Sequence, residues 1–321
     1  MIQSWMAVTV AAKWREAEDV FSFELADPQG RDLPPFTAGS HVDVEVAPGL
    51  VRQYSLCNSP TRRDRYQIGV LREPVSRGGS TVMIDSVAIG DTLRISEPKN
   101  HFELEPSASH SLLIAGGIGV TPILCMAERL SNIGEPFEMH YGARSPARAA
   151  FRDRIAASAF AGKVSYHFDD GPDAQKFDLD ALLASPAPGA HLYVCGPGGL
   201  IEAVLKTAKA KGWPDARVHR EFFAPVADTG APGGAFQVKI ASSGQVFDIP
   251  GDQPITAVLI ENGVYIPTSC EEGVCGTCLT RVLEGEPDHR DVYQTPDEQA
   301  RNDHMTLCCS RAKSAMLVLD L

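Results

Sequence analysis

The chain has 321 residues, a formal net charge of −12 and 44% hydrophobic residues. Its length suits two or three domains of the usual ~100–200 residues, and its composition is ordinary for a protein with packed cores. The negative charge argues against nucleic acid as a partner, because binding to a phosphate backbone draws on clustered Lys and Arg.

The N-terminal region shows no sign of an export signal. It holds one short apolar stretch, Trp5 to Ala12, followed by charged residues and no small-residue cleavage pattern. The longest apolar run, 112–127, contains GGIG and a proline, and it is shorter than the ~20 residues of a membrane helix. We therefore expect a cytoplasmic protein with no membrane partner. Its eight cysteines are then metal ligands or free thiols rather than disulfides.

Residues 1–106 are predicted to form an antiparallel β-barrel. Short alternating runs, such as VFSFELAD and HVDVEV, are separated by turn sequences such as DPQG, DLPP and APGL. Residues 107–225 are predicted to form an α/β domain instead. There, strand-like runs such as SLLIAGG and HLYVCGP alternate with helix-like segments such as PILCMAERLSN, FRDRIAASA and GLIEAVLKTAKAKG, which indicates βαβ units around a parallel sheet.

A third domain, of the α+β class, is predicted over residues 236–321, after a linker at 226–235. The stretch APVADTGAPGG is rich in Pro, Gly and Ala and has no periodic apolar pattern, which is typical of an interdomain linker. Beyond it, FQVKIASSGQVFDIP has the pattern of a hairpin, ITAVLIENG that of a short helix and AMLVLDL that of a closing strand.

Four cysteines of this last domain have the spacing of a plant-type [2Fe-2S] site. Cys270, Cys275 and Cys278 form the pattern C-x4-C-x2-C, and Cys308 follows after 29 intervening residues. The glycines in the loop CEEGVCGTC suit a cluster, because they let backbone amides approach the inorganic sulfides.

A structural zinc site is the alternative, but zinc loops usually contain two C-x2–4-C pairs and only one is present in this sequence. Cys309 leaves the fourth ligand ambiguous on spacing alone, because alternation along a strand would direct only one of two neighbouring thiols towards the cluster. Cys57 and Cys125 lie in apolar segments, where cysteine commonly acts as a small buried hydrophobe.

Two short motifs of the barrel have the residue types that a flavin mononucleotide requires. The run RQYS supplies Arg52, Tyr54 and Ser55 on a strand, and the run GGS supplies Gly79 and Ser80 before a helix. Flavin needs an aromatic wall, polar contacts to its ring and a cationic, amide-lined cradle for its phosphate. A surface arginine and a plain glycine turn would look the same, so neither motif decides the question alone.

Two glycine-rich turns of the α/β domain predict a nucleotide crevice. The run LLIAGGIGVTP and the run YVCGPGG each pass from a strand through glycines into a helix, whose free amides can receive a pyrophosphate. Neither is the G-x-G-x-x-G fingerprint. Ligands of open α/β sheets gather outside the carboxyl ends of the strands, so two such turns favour one shared site.

The order of these motifs along the chain resembles the phthalate dioxygenase reductase family, the ferredoxin-reductase-like partners of Rieske oxygenases, which includes vanillate demethylase reductases. The motifs are RxYS, GGS, GGxGxTP, CGPxG and C-x4-C-x2-C with a distant cysteine, and the segments DHRD and SRAKSAMLVLDL add to the resemblance. It covers essentially the whole chain. It implies an FMN-binding barrel, a ferredoxin-reductase-like NADH-binding domain and a C-terminal plant-type ferredoxin domain of the β-grasp fold.

The resemblance also implies site residues. Around the flavin it places Arg52, Tyr54, Ser55, Gly69, Val70 and Leu71, with Gly79 and Ser80 at the phosphate and Phe223 stacked on the ring. Along the dinucleotide it places Gly116, Gly117 and Thr121, with Cys195, Gly196 and Pro197 near the nicotinamide. Ser55 and Cys195 are the expected catalytic residues. For the cluster, matching the run CCSRA to the family makes Cys308, rather than Cys309, the fourth ligand.

NADH is expected as the nucleotide rather than NADPH. NADPH-using relatives have a Ser-Arg pair after the third strand of the nucleotide domain, whereas this chain has Asp169 and Asp170 there. A carboxylate such as Asp170 favours a ribose hydroxyl and repels a 2′-phosphate. Arg144 and Arg148 lie nearby and speak for the opposite choice.

The expected function is an electron relay from NADH through FMN and the [2Fe-2S] cluster to a partner oxygenase, a Rieske enzyme that hydroxylates or demethylates an aromatic acid. The flavin is needed because NADH delivers two electrons and the cluster accepts one at a time. The alternatives are an electron donor to a haem-thiolate or diiron monooxygenase, and a ferredoxin-like carrier with a degenerate flavin domain. We expect a monomer that meets its partner transiently through the ferredoxin domain, where six Lys and Arg stand against thirteen Asp and Glu.

Overall fold

The computed structural model describes residues 5–73, 78–223 and 233–321. The chain forms two compact units, residues 1–221 and 222–321. Most of the predicted linker at 226–235 lies outside the described residues. No helix in the described part of the chain is both long enough and apolar enough to cross a membrane.

The first unit begins with an antiparallel sheet. Its strands and its one helix are β1 (Trp5–Ala17), β2 (Val20–Ala26), β3 (Ser40–Ala47), β4 (Leu50–Ser55), β5 (Tyr66–Leu71), α1 (Gly79–Asp85), β6 (Thr92–Ser96) and β7 (Lys99–Asn100). The strand order is β4-β3-β6-β1-β2-β5, with β7 beside β3. A bridge between Leu56 and Ile68 joins the two outer strands, β4 and β5, and so closes the predicted barrel.

Alternation along these strands explains why they bury one face. Val8 and Val10 on β1 and Val42 and Val44 on β3 are fully buried, because residues two apart point to the same side of a strand. Asp43 also lies inside, where the Nζ of Lys99 is 2.7 Å from its carboxylate.

A parallel sheet with helices follows in the same unit. Its elements are β8 (His110–Gly116), α2 (Val120–Ile133), β9 (Phe137–Ala143), α3 (Arg152–Ala156), β10 (Val164–Phe168), α4 (Leu179–Leu182), β11 (Ala190–Cys195), α5 (Gly198–Ala210) and β12 (Val218–Glu221). The order is β10-β9-β8-β11-β12, with every pair parallel. β8 and β11 are buried almost throughout, as expected for central strands covered on both faces.

The helix predicted over FRDRIAASA is shorter in the structure. α3 ends at Ala156, where the hydroxyl of Ser158 donates to the carbonyl of Ile155 and competes with a further helical turn. The barrel and the parallel sheet share one hydrophobic core, which runs from Val8 to Cys195 and includes Phe151 between them.

The second unit has its own core and a mixed sheet. Its elements are β13 (Phe236–Ile240), β14 (Val246–Ile249), α6 (Ile255–Glu261), β15 (Leu279–Glu284), β16 (Pro287–Asp288), α7 (Pro296–Arg301), β17 (His304–Thr306), β18 (Arg311–Ala312) and β19 (Met316–Leu319). The main sheet has the order β14-β13-β19-β15-β17, and β19 lies parallel to β13. α7 begins with a complete capping box between Thr295 and Glu298. The predicted hairpin, short helix and closing strand are all present.

Candidate functional sites

The RQYS motif lies at the end of β4, where its arginine packs on the first turn of α1. A Cβ added to Gly79 would lie 2.5 Å from the Nε of Arg52, so only glycine lets the guanidinium approach this backbone. The Ser80 hydroxyl accepts a hydrogen bond from the amide of Glu73 at 3.1 Å. A cation beside free backbone amides is the arrangement that a phosphate requires.

Tyr54 provides a further sign of a ligand. Its hydroxyl is buried and has no hydrogen-bond partner among the described residues, and burial raises the pKa of this phenol. A buried hydroxyl normally finds a partner. The phosphate cradle at Gly79 and the orphaned Tyr54 hydroxyl fit a flavin mononucleotide against β4.

Residues 69–71 on β5 lie where the barrel meets the parallel sheet. A Cβ on Gly69 would come within 2.9 Å of the Thr121 methyl and 3.1 Å of Phe151. Thr121 itself is buried, and its hydroxyl donates to the carbonyl of Ile118 at 3.0 Å. Thr121 therefore brings the flavin-flanking strand and the glycine-rich turn together, while its own hydroxyl is engaged within the chain.

Ser55, Cys195 and Glu221 meet at the ends of three strands, β4, β11 and β12. The Ser55 hydroxyl lies 3.4 Å and the Cys195 thiol 4.0 Å from the same oxygen of Glu221, and Cys195 and Glu221 are paired in register. Burial raises the pKa of the Glu221 carboxyl to about 8, and the hydrogen bond from Ser55 offsets this in part. Burial likewise raises the pKa of the Cys195 thiol, which therefore stays protonated.

Glu221 was not among the residues expected from the sequence. A glutamate at the end of a short, half-buried strand has no local signal of burial. The run REFF, in which it precedes two aromatic residues, is the one hint that the sequence contains.

The two glycine-rich turns pack directly on each other. A Cβ on Gly119 would overlap the carbonyl of Cys195, and one on Gly116 would lie 2.8 Å from Pro197 and 2.6 Å from Leu200. Gly196 likewise approaches the backbone of Gly116. These glycines are therefore required by the contact between the turns after β8 and β11, whatever ligand the turns receive.

Other positions in these turns remain open. Gly117 has a positive φ of 53°, and no atom lies within 4 Å of where its Cβ would be; Gly199, near the start of α5, also has open space there. No side chain caps the α5 N-terminus. Its free amides at the carboxyl end of the sheet fit the pyrophosphate of a dinucleotide.

Asp170 is exposed just beyond the end of β10, the edge strand of the same sheet. Its amide donates to the carbonyl of Arg144 at 3.1 Å. Of the two arginines that speak for NADPH, Arg148 forms ion pairs with Glu18 and Asp19, whereas Arg144 is exposed. Phe223 belongs to the second unit and exposes 40% of its surface.

The four expected cluster ligands converge in the second unit. Their thiols form two adjacent pairs, Cys270 with Cys275 and Cys278 with Cys308, and Cys270 also reaches Cys308. The amides of Glu272 and Thr277 point at thiols of this loop, each 3.4 Å from sulfur. Two pairs of thiols with amides directed at sulfur fit a cluster of two irons, each of which takes two thiolates.

The sulfur of Cys309 contacts that of Cys308 and has two further neighbours. It lies 3.2 Å from the Thr306 hydroxyl and covers the Cα of Gly273. Cys308 and Cys309 lie in a turn after β17 rather than on a strand, so the turn, and not strand alternation, separates the two thiols. Cys57 and Cys125 are fully buried, as expected for structural thiols.

Comparison with known proteins places the chain among oxygenase reductases. Two family profiles match, the 2Fe-2S iron-sulfur cluster binding domain at residues 238–313 and the N-terminal domain of dimethylamine monooxygenase subunit DmmA-like proteins at residues 95–218. The vanillate O-demethylase oxidoreductase of Pseudomonas sp. strain HR199 is 52% identical over 98% of this chain and 99% of its own.

Two solved structures extend the comparison. Phthalate dioxygenase reductase, described as a modular structure for electron transfer from pyridine nucleotides to [2Fe-2S], has a TM-score of 0.76 and 40% identity, over 99% of this chain and 98% of that one. An intact type IV self-sufficient cytochrome P450 monooxygenase has a TM-score of 0.86 and 38% identity over 99% of this chain, which spans 41% of that longer one. The predicted fold class is thereby confirmed. The chain belongs to the family of vanillate O-demethylase oxidoreductases and phthalate dioxygenase reductases.

Proposed function

We propose that this chain is the NADH-dependent reductase component of a two-component Rieske oxygenase that demethylates or hydroxylates an aromatic acid. The observation that carries the proposal is the presence of three sites on one chain: the cradle at Arg52 and Gly79, the open crevice at Gly117 and Gly199, and the paired thiols of the second unit. The 52% identity to a vanillate O-demethylase oxidoreductase supports this substrate class for the partner.

Arg52, Gly79 and Ser80 would hold the FMN phosphate, and Tyr54, Ser55 and residues 69–71 would border its ring. The turns after β8 and β11 would receive the NADH pyrophosphate, with Asp170 beside the ribose at the edge of the sheet. When bound, FMN supplies the conversion of a two-electron hydride donor into single-electron transfers.

Ser55, Cys195 and Glu221 are proposed to shape the place where nicotinamide and flavin meet. Ser55 and Cys195 are buried and Glu221 is half-buried, which limits the access of water to this place. Because the pKa of Glu221 is raised to about 8, the carboxyl is neutral at pH 7 and adds no charge that would repel the hydride. Ser55, held against Glu221, would present its oxygen to the flavin, and the Cys195 thiol would bound the nicotinamide.

An absorption spectrum of the purified protein tests the relay. We expect flavin bands with cluster shoulders, both of which bleach when NADH is added, and FMN as the flavin released by acid. Reduction by NADPH should be far less efficient. A cluster without flavin would contradict the proposal and support a ferredoxin-like carrier.

The acidic charge of the second unit is proposed to steer a transient partner. Glu271 and Glu272 lie within the cluster loop, and the unit carries thirteen Asp and Glu against six Lys and Arg after residue 235. Opposite charges raise association rates, and salt screens them. Reduction of the partner oxygenase should therefore slow as ionic strength rises. Equal rates at low and high salt would contradict steering.

A haem-thiolate monooxygenase is the second candidate acceptor. The similarity to the reductase part of a self-sufficient cytochrome P450 favours it specifically. Reconstitution of the reduced protein with a Rieske oxygenase and with a P450, in parallel, separates the two acceptors. Faster electron delivery to the P450 than to the Rieske oxygenase would contradict the leading proposal and support the second.

We further propose a cytoplasmic monomer. Eight free thiols suit a reducing compartment. Light scattering of the purified chain should give the mass of one copy, 34.5 kDa plus cofactors. A mass twice as large would contradict the proposed monomer.

A further inference from the structure

The cluster loop of residues 270–278 is supported by a segment that contains no cysteine. The carbonyl of Gly273 accepts hydrogen bonds from the amides of Val292 and Tyr293, at 3.1 and 3.2 Å. A Cβ on Gly273 would lie 3.0 Å from the Cα and Cβ of Asp291, and one on Gly276 would overlap the ring of Tyr293. Both glycines have a positive φ, 72° and 70°. Residues 291–293 therefore cover the two points at which the cluster loop bends.

Asp291 shapes this supporting segment. Its side chain is fully buried, and its Oδ2 accepts a hydrogen bond from the amide of Gln294 at 2.8 Å. Its main-chain carbonyl accepts another from the side chain of Gln299 at 3.0 Å. A carboxylate that accepts from the amide three residues further along bridges the backbone between them and holds it in place. That backbone contains the two amides that hold Gly273.

The other carboxylate oxygen of Asp291, Oδ1, accepts no such hydrogen bond within the described part of the chain. Oδ1 is buried without a hydrogen-bond partner among the described residues, and so is the Nδ1 of His289, 3.9 Å away. The Nε2 of His289 lies 3.1 Å from the amide oxygen of Asn302 and must donate to it, so Nδ1 of a neutral imidazole is an acceptor. The hydrogen bond from Gln294 to Oδ2 is therefore the contact through which the Asp291 side chain acts on the backbone of this segment.

We propose that Asp291 is a positioning residue of the iron-sulfur site, which acts by holding the Gly273 carbonyl through the turn of residues 291–294. The inference rests on the proposed ligand set. Gly273 lies between the amides of Glu272 and Thr277, which point at the sulfurs of Cys270 and Cys275. Hydrogen bonds to sulfur tune the reduction potential of a cluster, so a displaced loop changes the cluster's electronic properties and its lifetime.

Three variants of the full-length protein test the role. Asp291→Ala removes the acceptor, and we expect altered g-values in the EPR spectrum of the reduced cluster, a shifted midpoint potential and roughly tenfold faster iron loss to a chelator. Asp291→Asn keeps an oxygen for Gln294 and offers His289 a donor, so it should restore the wild-type EPR spectrum and iron retention. Asp297→Ala removes an exposed carboxylate from the same segment and is the charge control.

Wild-type g-values, potential and iron release in Asp291→Ala would overturn the proposal, as would equal changes in Asp297→Ala. If Asp291→Ala does not fold, hydrogen exchange of the wild-type protein decides. Amides of residues 291–295 should lose protection when a chelator removes the cluster, and unchanged protection would overturn the role. A wild-type protein with no [2Fe-2S] EPR signal would instead refute the proposed cluster site itself.

Discussion

Glu221 is the residue whose chemistry departs most from its ordinary behaviour. Its carboxyl is buried beside Ser55 and Cys195, and its pKa of about 8 lies well above the usual 4.5. The folded chain therefore keeps a proton between these two values that the unfolded chain releases. The free energy of unfolding then falls as the pH rises from about 4.5 to 8, by at most about 5 kcal/mol at 1.36 kcal/mol per pKa unit.

Glu221→Gln should remove this pH dependence, because a neutral amide does not titrate. We expect the midpoint of thermal unfolding to change less between pH 5 and pH 8.5 in Glu221→Gln than in the wild type. Differential scanning calorimetry at the two pH values measures this midpoint. Glu202→Gln, an exposed position on α5, is the matched control and should behave as the wild type. An unchanged pH profile in Glu221→Gln would show that the carboxyl is ionised in the folded protein.

Cys308 and Cys309 offer a second test at single residues. The Cys308 thiol contacts those of Cys270, Cys278 and Cys309, and the Cys309 thiol also lies 3.2 Å from the Thr306 hydroxyl. Cys308→Ser should lose the cluster, because a serine oxygen is a poor replacement for a thiolate on iron, and Cys309→Ser should keep it. Iron and acid-labile sulfide per chain measure the difference. Loss of the cluster in Cys309→Ser alone would reverse the assignment.

At the scale of elements, the packing of two turns decides where the nucleotide crevice lies. Gly119 touches the backbone of Cys195, and Gly116 touches Pro197 and Leu200, so the strand ends of β8 and β11 are held together by glycine. Under the proposed assignment, the pyrophosphate of NADH would bind beside these two βα turns, whose loops are in van der Waals contact.

Gly119→Ala should force these turns apart. An added methyl would overlap the Cys195 carbonyl, which is backbone and cannot rotate away, so we expect a loss of about 1–3 kcal/mol in stability and a raised KM for NADH. Gly162→Ala adds a methyl in open space at an exposed position outside both turns and should have little effect on either quantity. Thermal unfolding and steady-state kinetics with NADH measure both variants. Equal effects of the two would contradict the packing argument.

At the scale of the whole molecule, the two units have separate hydrophobic cores. The first contains the proposed flavin and nucleotide sites, and the second contains the four cluster cysteines. Separate cores allow one unit to lose its cofactor without unfolding the other.

We therefore expect Cys278→Ser to block electron transfer at the cluster and to leave the reduction of the flavin intact. We expect NADH to bleach the flavin at close to the wild-type rate, while electron delivery to a partner oxygenase is lost with the cluster. Stopped-flow absorbance of the flavin band and turnover with the oxygenase measure the two steps. A variant that no longer binds flavin would show that the units depend on each other for folding.

Much of this organisation follows from sequence, because it depends on local patterns. Strand alternation predicted the barrel, and alternating strands and helices predicted the parallel sheet. The spacing of Cys270, Cys275 and Cys278 predicted the cluster, since ligand spacing in one loop is itself a local property. The order of motifs indicated the family before any contact was known.

Tertiary structure decided what depends on residues distant in the chain. Glu221 acquires its raised pKa because the fold buries its carboxyl, and the same fold brings it within hydrogen-bond distance of Ser55, which is 166 positions away. The glycines of the two turns could not be interpreted as contact residues until β8 and β11 were neighbours. Asp291 supports the cluster loop through a fold in which residues 273 and 292 hydrogen-bond. Burial and long-range hydrogen bonds are set by the packed chain, and a one-dimensional pattern carries no signal of them.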